Sequence, residues 1–168
     1  MLELKLNHCK RLIDDVKGLA QKSDIEDIMP YILRSAIILF SAEMEDSLKK
    51  LIAIAFKHYP FVIKDVSIHD IKNFLRDFHN KARNPKYRDI KKLMDFFGIN
   101  LDILNEQEKA VYSNFIEKRD EIAHDPRESI SFSFEEFVMA VEIGEKILNH
   151  ISGSLFEKIT EHIKSEFL

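Results

Sequence analysis

The chain has 168 residues, 45% hydrophobic and 32% charged, with 25 Lys and Arg against 29 Asp and Glu for a net charge of −4. That suits a single helical domain over residues 1–168 with a sizeable core, and it argues against a uniformly basic nucleic-acid wrapper. Four Gly and four Pro argue against collagenous, low-complexity and turn-rich β classes, and the lone Cys9 removes disulfide frameworks, Cys-ligated zinc and iron–sulfur clusters.

The first residues, MLELKLNHCKR, carry charge where a signal peptide needs an apolar run. The most apolar stretch, Ala36 to Phe40, is far shorter than the roughly 20 residues that span a bilayer. The expectation is a soluble, cytoplasmic protein with no membrane contact. Leu12, Val16, Leu19 and Ala20 mark the apolar stripe of a first helix, closed by the polar run from Gln21 to Asp24. A long second helix follows from about Asp24 to His58, with Ile32, Leu33, Ala36, Ile37, Phe40, Met44, Leu48, Leu51, Ile52 and Ala55 at three- and four-residue steps. Pro60 stops it, and Pro30 falls near its start or kinks its first turns.

Ser67 can cap a short third helix carrying Ile71, Phe74, Leu75 and Phe78, after which Asn80 to Pro85 reads as a loop. Ile90, Leu93, Met94 and Phe97 form a fourth helix closed by Gly98. Asn105 can cap a fifth, running through Val111, Tyr112, Phe115, Ile116, Ile122 and Ala123 to Asp125-Pro126. Ser133 and Glu136 have the spacing of a capping box that opens a last long helix, which Ser152-Gly153-Ser154 is expected to bend or break. Ser129 to Phe132 is the best strand candidate, and a weak one. The fold class is all-α, an up-and-down bundle of about five to six helices.

Residues 72–92 hold eight Lys or Arg against Asp77 and Asp89, a local +6 that leaves −10 for the rest of the chain. Phe74, Phe78 and Tyr87 interleave with these bases, a composition suited to gripping phosphates and stacking bases, with Arg83, Lys86 and Arg88 as the candidate RNA contacts. The competing reading is a solvated face whose aromatic residues point into the core.

The string from Lys118 to Pro126 is the richest in chemistry. On an ideal helix Arg119 lines up with Tyr112, Ile116 and Ala123, where a guanidinium needs an anionic partner or a ligand. His124 lines up with Glu117, Asp120 and Glu121, carboxylates that favour its charged form and bring it toward the range useful for acid/base work. Positions 119 and 124 differ by about 140° around the axis. Aiming both at one substrate requires either an unwound helix end or two helices paired across a dimer axis. Seven Arg and seven His make one Arg-x4-His match unsurprising, and a His in a last turn with a carboxylate four residues earlier is also a routine stabilising arrangement.

Arg119, Asp120 and His124 at the end of a penultimate helix, followed by a short loop and a long final helix, resemble the HEPN superfamily, whose hallmark is Arg, a polar residue, a few residues, then His. The layout over about residues 24–150 is also similar, with Ser41-Ala42-Glu43-Met44-Glu45 and Lys49 on a long helix and the segment from Asn84-Pro85 to Gly98; it points to the RiboL-PSP-HEPN subgroup or a close relative. The resemblance implies a metal-independent endoribonuclease of a defence or toxin–antitoxin system, needing no cofactor and no metal. The resemblance further implies a homodimer acting on RNA, with an antitoxin or regulatory protein as further partner. Arg119 would grip the phosphate, His124 serve as acid or base and Asp120 orient it, with Glu45 and Lys49 in support. Glu45 and Lys49 read equally as an ordinary surface pair four residues apart. Where some members carry a Tyr that a partner nucleotidyltransferase modifies, this chain has Pro126. Other members are non-catalytic RNA-binding or adaptor dimers, and that is the alternative here.

A di-iron bundle needs two Glu-x-x-His motifs and only Glu121-x-x-His124 is present; a Gly-rich phosphate loop and a nucleophile elbow are both missing.

Overall fold

The computed structural model describes residues 6–21, 25–58, 67–81, 86–124 and 132–167. Six helices and no strand occur among them: α1 (Asn7–Ala20), α2 (Met29–Lys57), α3 (Ile68–Lys81), α4 (Tyr87–Phe96), α5 (Glu106–His124) and α6 (Phe134–Phe167). All six contribute to one apolar core. The protein is an all-α helical bundle.

Local sequence explains most helix ends. Pro30 occupies the first turn of α2, where its missing N–H is not needed. Reciprocal side-chain bonds open three helices. Asp70 N–H donates to Ser67 Oγ (3.2 Å), and Ser67 N–H to Asp70 Oδ2 (3.2 Å). Asn105 exchanges bonds with Glu108 at 2.9 Å each way, and Ser133 with Glu136 at 2.7 and 3.2 Å. Gly98, at φ +62°, closes α4: Ile99 N–H reaches Met94 O at 3.0 Å and Gly98 N–H reaches Asp95 O at 2.9 Å, a turn that a left-handed residue makes possible.

The heart of the bundle is α2, α5 and α6, each packed on the other two. The Phe40 ring of α2 meets Tyr112 and Phe115 of α5 edge-on at centroid distances of 6.0 and 5.1 Å, and Phe115 stacks on Phe137 of α6 at 5.9 Å. Glu108 at the start of α5 pairs with Lys146 (2.7 Å), whereas Phe115 further along meets Phe137, so α5 and α6 are antiparallel. Phe40 lies against Gly144, and at the far end of α2 Phe56 meets Phe97, next to Gly98, which neighbours Lys158; α2 therefore runs with α6 and against α5. At this end α3 and α4 add an aromatic cluster in which Phe74 stacks on Phe96 at 4.3 Å. The α4–α5 connector is fastened from three sides. Tyr87 OH donates to Leu101 O, His150 Nε2 bonds Asn100 O at 2.7 Å, and Lys91 pairs with Asp102, while Ile99, Leu101 and Leu104 are buried.

The structure corrects several expectations. The buried stripe of α1 is Cys9, Ile13 and Val16, continued by Leu6, while Leu19 is 45% exposed and Ala20 is exposed, because α1 is rotated to bring Cys9 onto α2. The second helix starts at Met29, not Asp24, since Glu26 to Ile28 form turns leading into Pro30. Asn80 and Lys81 are helical, and the rest of the expected loop, residues 82–85, lies outside the described residues. The last helix passes unbroken through Ser152-Gly153-Ser154, as burial of Ile151, Ser152 and Leu155 outweighs the weak propensity of that triplet. Phe132 is not in a strand, and residues 129–131 lie outside the described set, as do Asp125 and Pro126.

Candidate functional site

Because α5 is antiparallel to α2 and α6, its C-terminal turns, carrying Arg119 to His124, sit at the end of the bundle where α2 and α6 both begin. Tyr112 and Ile116 are fully buried, and one turn further Arg119 is half-buried and engaged with neighbours. The backbone stays helical through His124, so the unwound-end route to bringing positions 119 and 124 together is not taken within α5. The offset of about 140° between them persists within one chain. For Asp120, Ala123 and His124 the backbone alone is described.

Glu45 and Lys49 form an ion pair one turn apart on α2. Phe40 marks the level of Tyr112 and Phe115, and from that level positions 45 and 119 diverge in opposite directions. At 1.5 Å per residue Glu45 stands roughly 15 Å along the axis from Arg119, and further from His124. The structure does not bring Glu45 and Lys49 into the Arg119 site of the same chain.

In the basic segment, Phe74 and Tyr87 are 7% and 8% exposed and Phe78 is half-buried. The first two are core residues, so they are not stacking platforms for bases. The cations remain at the surface: Lys72, Arg76, Arg88 and Lys92 are exposed and Lys86 is half-buried at the start of α4. Arg88 keeps 78% of its side chain accessible, 4.0 Å from Asp89. Arg83 lies outside the described residues.

Two features escaped the sequence reading. A pocket of about 340 Å³ opens between α5 and the start of α6, floored by Phe115 and Phe132 and rimmed by Glu117, Lys118, Glu121 and Glu136. Its acidic rim comes from two helices, so no local motif signals it. Lys118 pairs with Glu121 and Glu136 caps α6, which commits part of that charge. The other feature is Tyr31 and Ile38, 72% and 58% exposed on the outer face of α2, toward the end where Arg119 lies. Their seven-residue spacing was visible, but only the bundle shows that this face is left over.

Among the described residues no three His, Cys, Asp or Glu side chains gather as a metal site, and no helix is long and apolar enough to cross a membrane. Compared with known proteins, the chain matches no family model, no curated protein and no solved structure.

Proposed function

We propose that the chain is a metal-independent endoribonuclease of the HEPN type, in a defence or toxin–antitoxin setting, that works as a homodimer. The reading rests on the Arg119-Asp120-x3-His124 pattern, and one observation carries it: these positions end a helix that stays regular through His124, at the end of the bundle where α2 and α6 begin. A straight helix cannot aim both side chains at one phosphate, but two such ends across a two-fold axis supply a pair of each. Exposed Tyr31 and Ile38 nearby favour a second copy at that end.

RNA cleavage without metal needs a base to take the 2′-OH proton, an acid for the 5′-oxygen and a cation for the crowded phosphorane. His124 from one copy serves as base and from the other as acid. Arg119 holds the phosphate through its planar fork, and Asp120 orients His124. Arg88 and Lys86, with Arg83, draw the RNA backbone in by charge alone.

Incubation of purified protein with RNA in EDTA tests this. Cleavage to ends bearing a 2′,3′-cyclic phosphate and a 5′-hydroxyl is expected, and a 2′-deoxy substitution at the cut blocks it. Intact RNA, or cleavage that needs a divalent metal, overturns it.

The second reading, a non-catalytic RNA-binding or adaptor dimer, is favoured by the acidic rim of the α5–α6 pocket, which repels phosphate close to the proposed site. It predicts no cleavage under any condition, with Arg119 and His124 variants losing thermal stability instead.

A further inference from the structure

Helix α1 begins without a cap of its own, since Leu6 offers no side-chain acceptor. Its first amides are taken by carboxylates from two other helices. Glu43 of α2 accepts from the N–H of His8 and of Cys9, both at 3.0 Å, and its Oε1 lies 2.7 Å from His8 Nδ1. Glu145 of α6 accepts from Leu6 N–H at 3.3 Å and pairs with Lys10 at 2.6 Å. Both carboxylates are half-buried, and both face the positive end of the α1 dipole.

Below these bonds the apolar hold on α1 is a stripe of Leu6, Cys9, Ile13 and Val16, with half-buried Leu12 packed beside it. Cys9 is fully buried and its thiol hydrogen-bonds to Glu43; burial, with the two carboxylates nearby, pushes its pKa up and keeps it protonated. The interlocked rings of Phe40, Tyr112, Phe115 and Phe137 that join α2, α5 and α6 include no α1 side chain.

We propose that α1 is a releasable clasp, held shut by the charges of Glu43 and Glu145, whose release uncovers the chain's one thiol while the α2–α5–α6 core stays folded. Removing the Glu43 charge leaves two first-turn amides without a strong acceptor, and the remaining apolar hold of α1 on the core is short. Among the described residues, the charged and titratable groups facing this junction are His8, Cys9 and Lys10 of α1, Glu43 of α2 and Glu145 of α6. Acid acts in the same direction as substitution: the His8 and Cys9 amides hold the Glu43 carboxyl below its usual value, and protonating it replaces their charged acceptor with a weaker neutral one.

The experiment is thiol labelling of the full chain with an aromatic disulfide reagent near neutral pH, run beside hydrogen exchange followed by mass spectrometry. Wild-type Cys9 labels slowly. Glu43→Gln raises the labelling rate about ten- to a hundredfold, the span expected for weakening charge-assisted bonds. Glu145→Gln moves it the same way and serves if Glu43→Gln folds poorly. In both variants exchange quickens in α1 and is unchanged in α5 and α6. Unchanged labelling in both variants overturns the clasp. So does acceleration of α1, α5 and α6 by one common factor, which would mean that Cys9 is reached only by global unfolding.

Discussion

The Phe40 ring occupies the space that a side chain at position 144 would need: a Cβ built on Gly144 falls 2.9 Å from Phe40 Cε2 and 3.1 Å from Leu6 Cδ1. Phe40 is fully buried and boxed by Tyr112 and Phe115, so it has nowhere to retreat. Gly144→Ala gains about 1 kcal/mol of helix propensity but incurs about 1–3 kcal/mol of overpacking, and net destabilisation is expected. Gly153, in the same helix with nothing within 4 Å, has no such neighbour, and Gly153→Ala should stabilise by about 0.5–1 kcal/mol. Urea denaturation of the two variants checks both signs; a stabilised Gly144→Ala would show that α1, α2 and α6 do not approach as closely as described.

His124→Ala should abolish RNA cleavage with the helical signal intact, since loss of an acid/base group costs about 10²–10⁴-fold in rate. Arg119→Ala should do the same and also lower the melting temperature, because the Arg119 stem continues the buried stripe of Tyr112 and Ile116. Gel assays paired with thermal melts separate the two effects. A cleaving His124→Ala protein removes His124 from the mechanism.

The dimer reading gives a mass of twice the monomer by light scattering at micromolar concentration. Tyr31→Glu with Ile38→Glu should restore the monomer and abolish cleavage together, because both side chains are exposed and neither supports the core. A monomeric wild type that still cleaves RNA would show that one chain suffices.

Reversing charge at Arg83, Lys86 and Arg88 should weaken RNA binding and flatten the slope of log affinity against log salt by about one unit per lost phosphate contact. Affinity equal to wild type at low salt would reduce these cations to a solvated face.

Glu108 both caps α5 at Asn105 N–H and binds Lys146 of α6. The Lys146 ammonium, with the Asn105 amide, holds its carboxyl below the usual value. Its folded pKa being depressed, its contribution is complete above the ordinary carboxylate range and fades as pH falls through the lowered value. The Glu108→Gln variant should lose stability near neutral pH and converge on wild type in acid. Asn105→Ala should cost about 1 kcal/mol through the lost cap, at any pH where Asn105 is the acceptor for Glu108 N–H.

What was legible in the sequence is what local chemistry decides. The Asn105–Glu108 and Ser133–Glu136 caps and the Gly98 stop need only residues within five positions of each other. Helix α1 shows the opposite case. Leu12, Val16 and Leu19 make as regular a stripe as Cys9, Ile13 and Val16, and the choice between them was made by Glu43 and Glu145, which no window around α1 contains. The triplet at Gly153 reads as a break until Ile151 and Leu155 are seen packed on either side of it. Arg119 and His124 stand out as a pattern, but the separation of Glu45 from them follows from the antiparallel course of α2 and α5, a property of the whole bundle.

The connector from Ile99 to Asn105, though it belongs to no helix, has its Asn100 and Leu101 carbonyls and its Asp102 carboxylate taken by His150, Tyr87 and Lys91. It should therefore behave as a poor substrate for proteases, which need several consecutive residues drawn out into an extended strand. An epitope tag or a new pair of termini placed there would have to break contacts from two helices at once. Trypsin, offered Lys91 and Lys109 on either side, should leave both uncut for as long as the bundle stays folded.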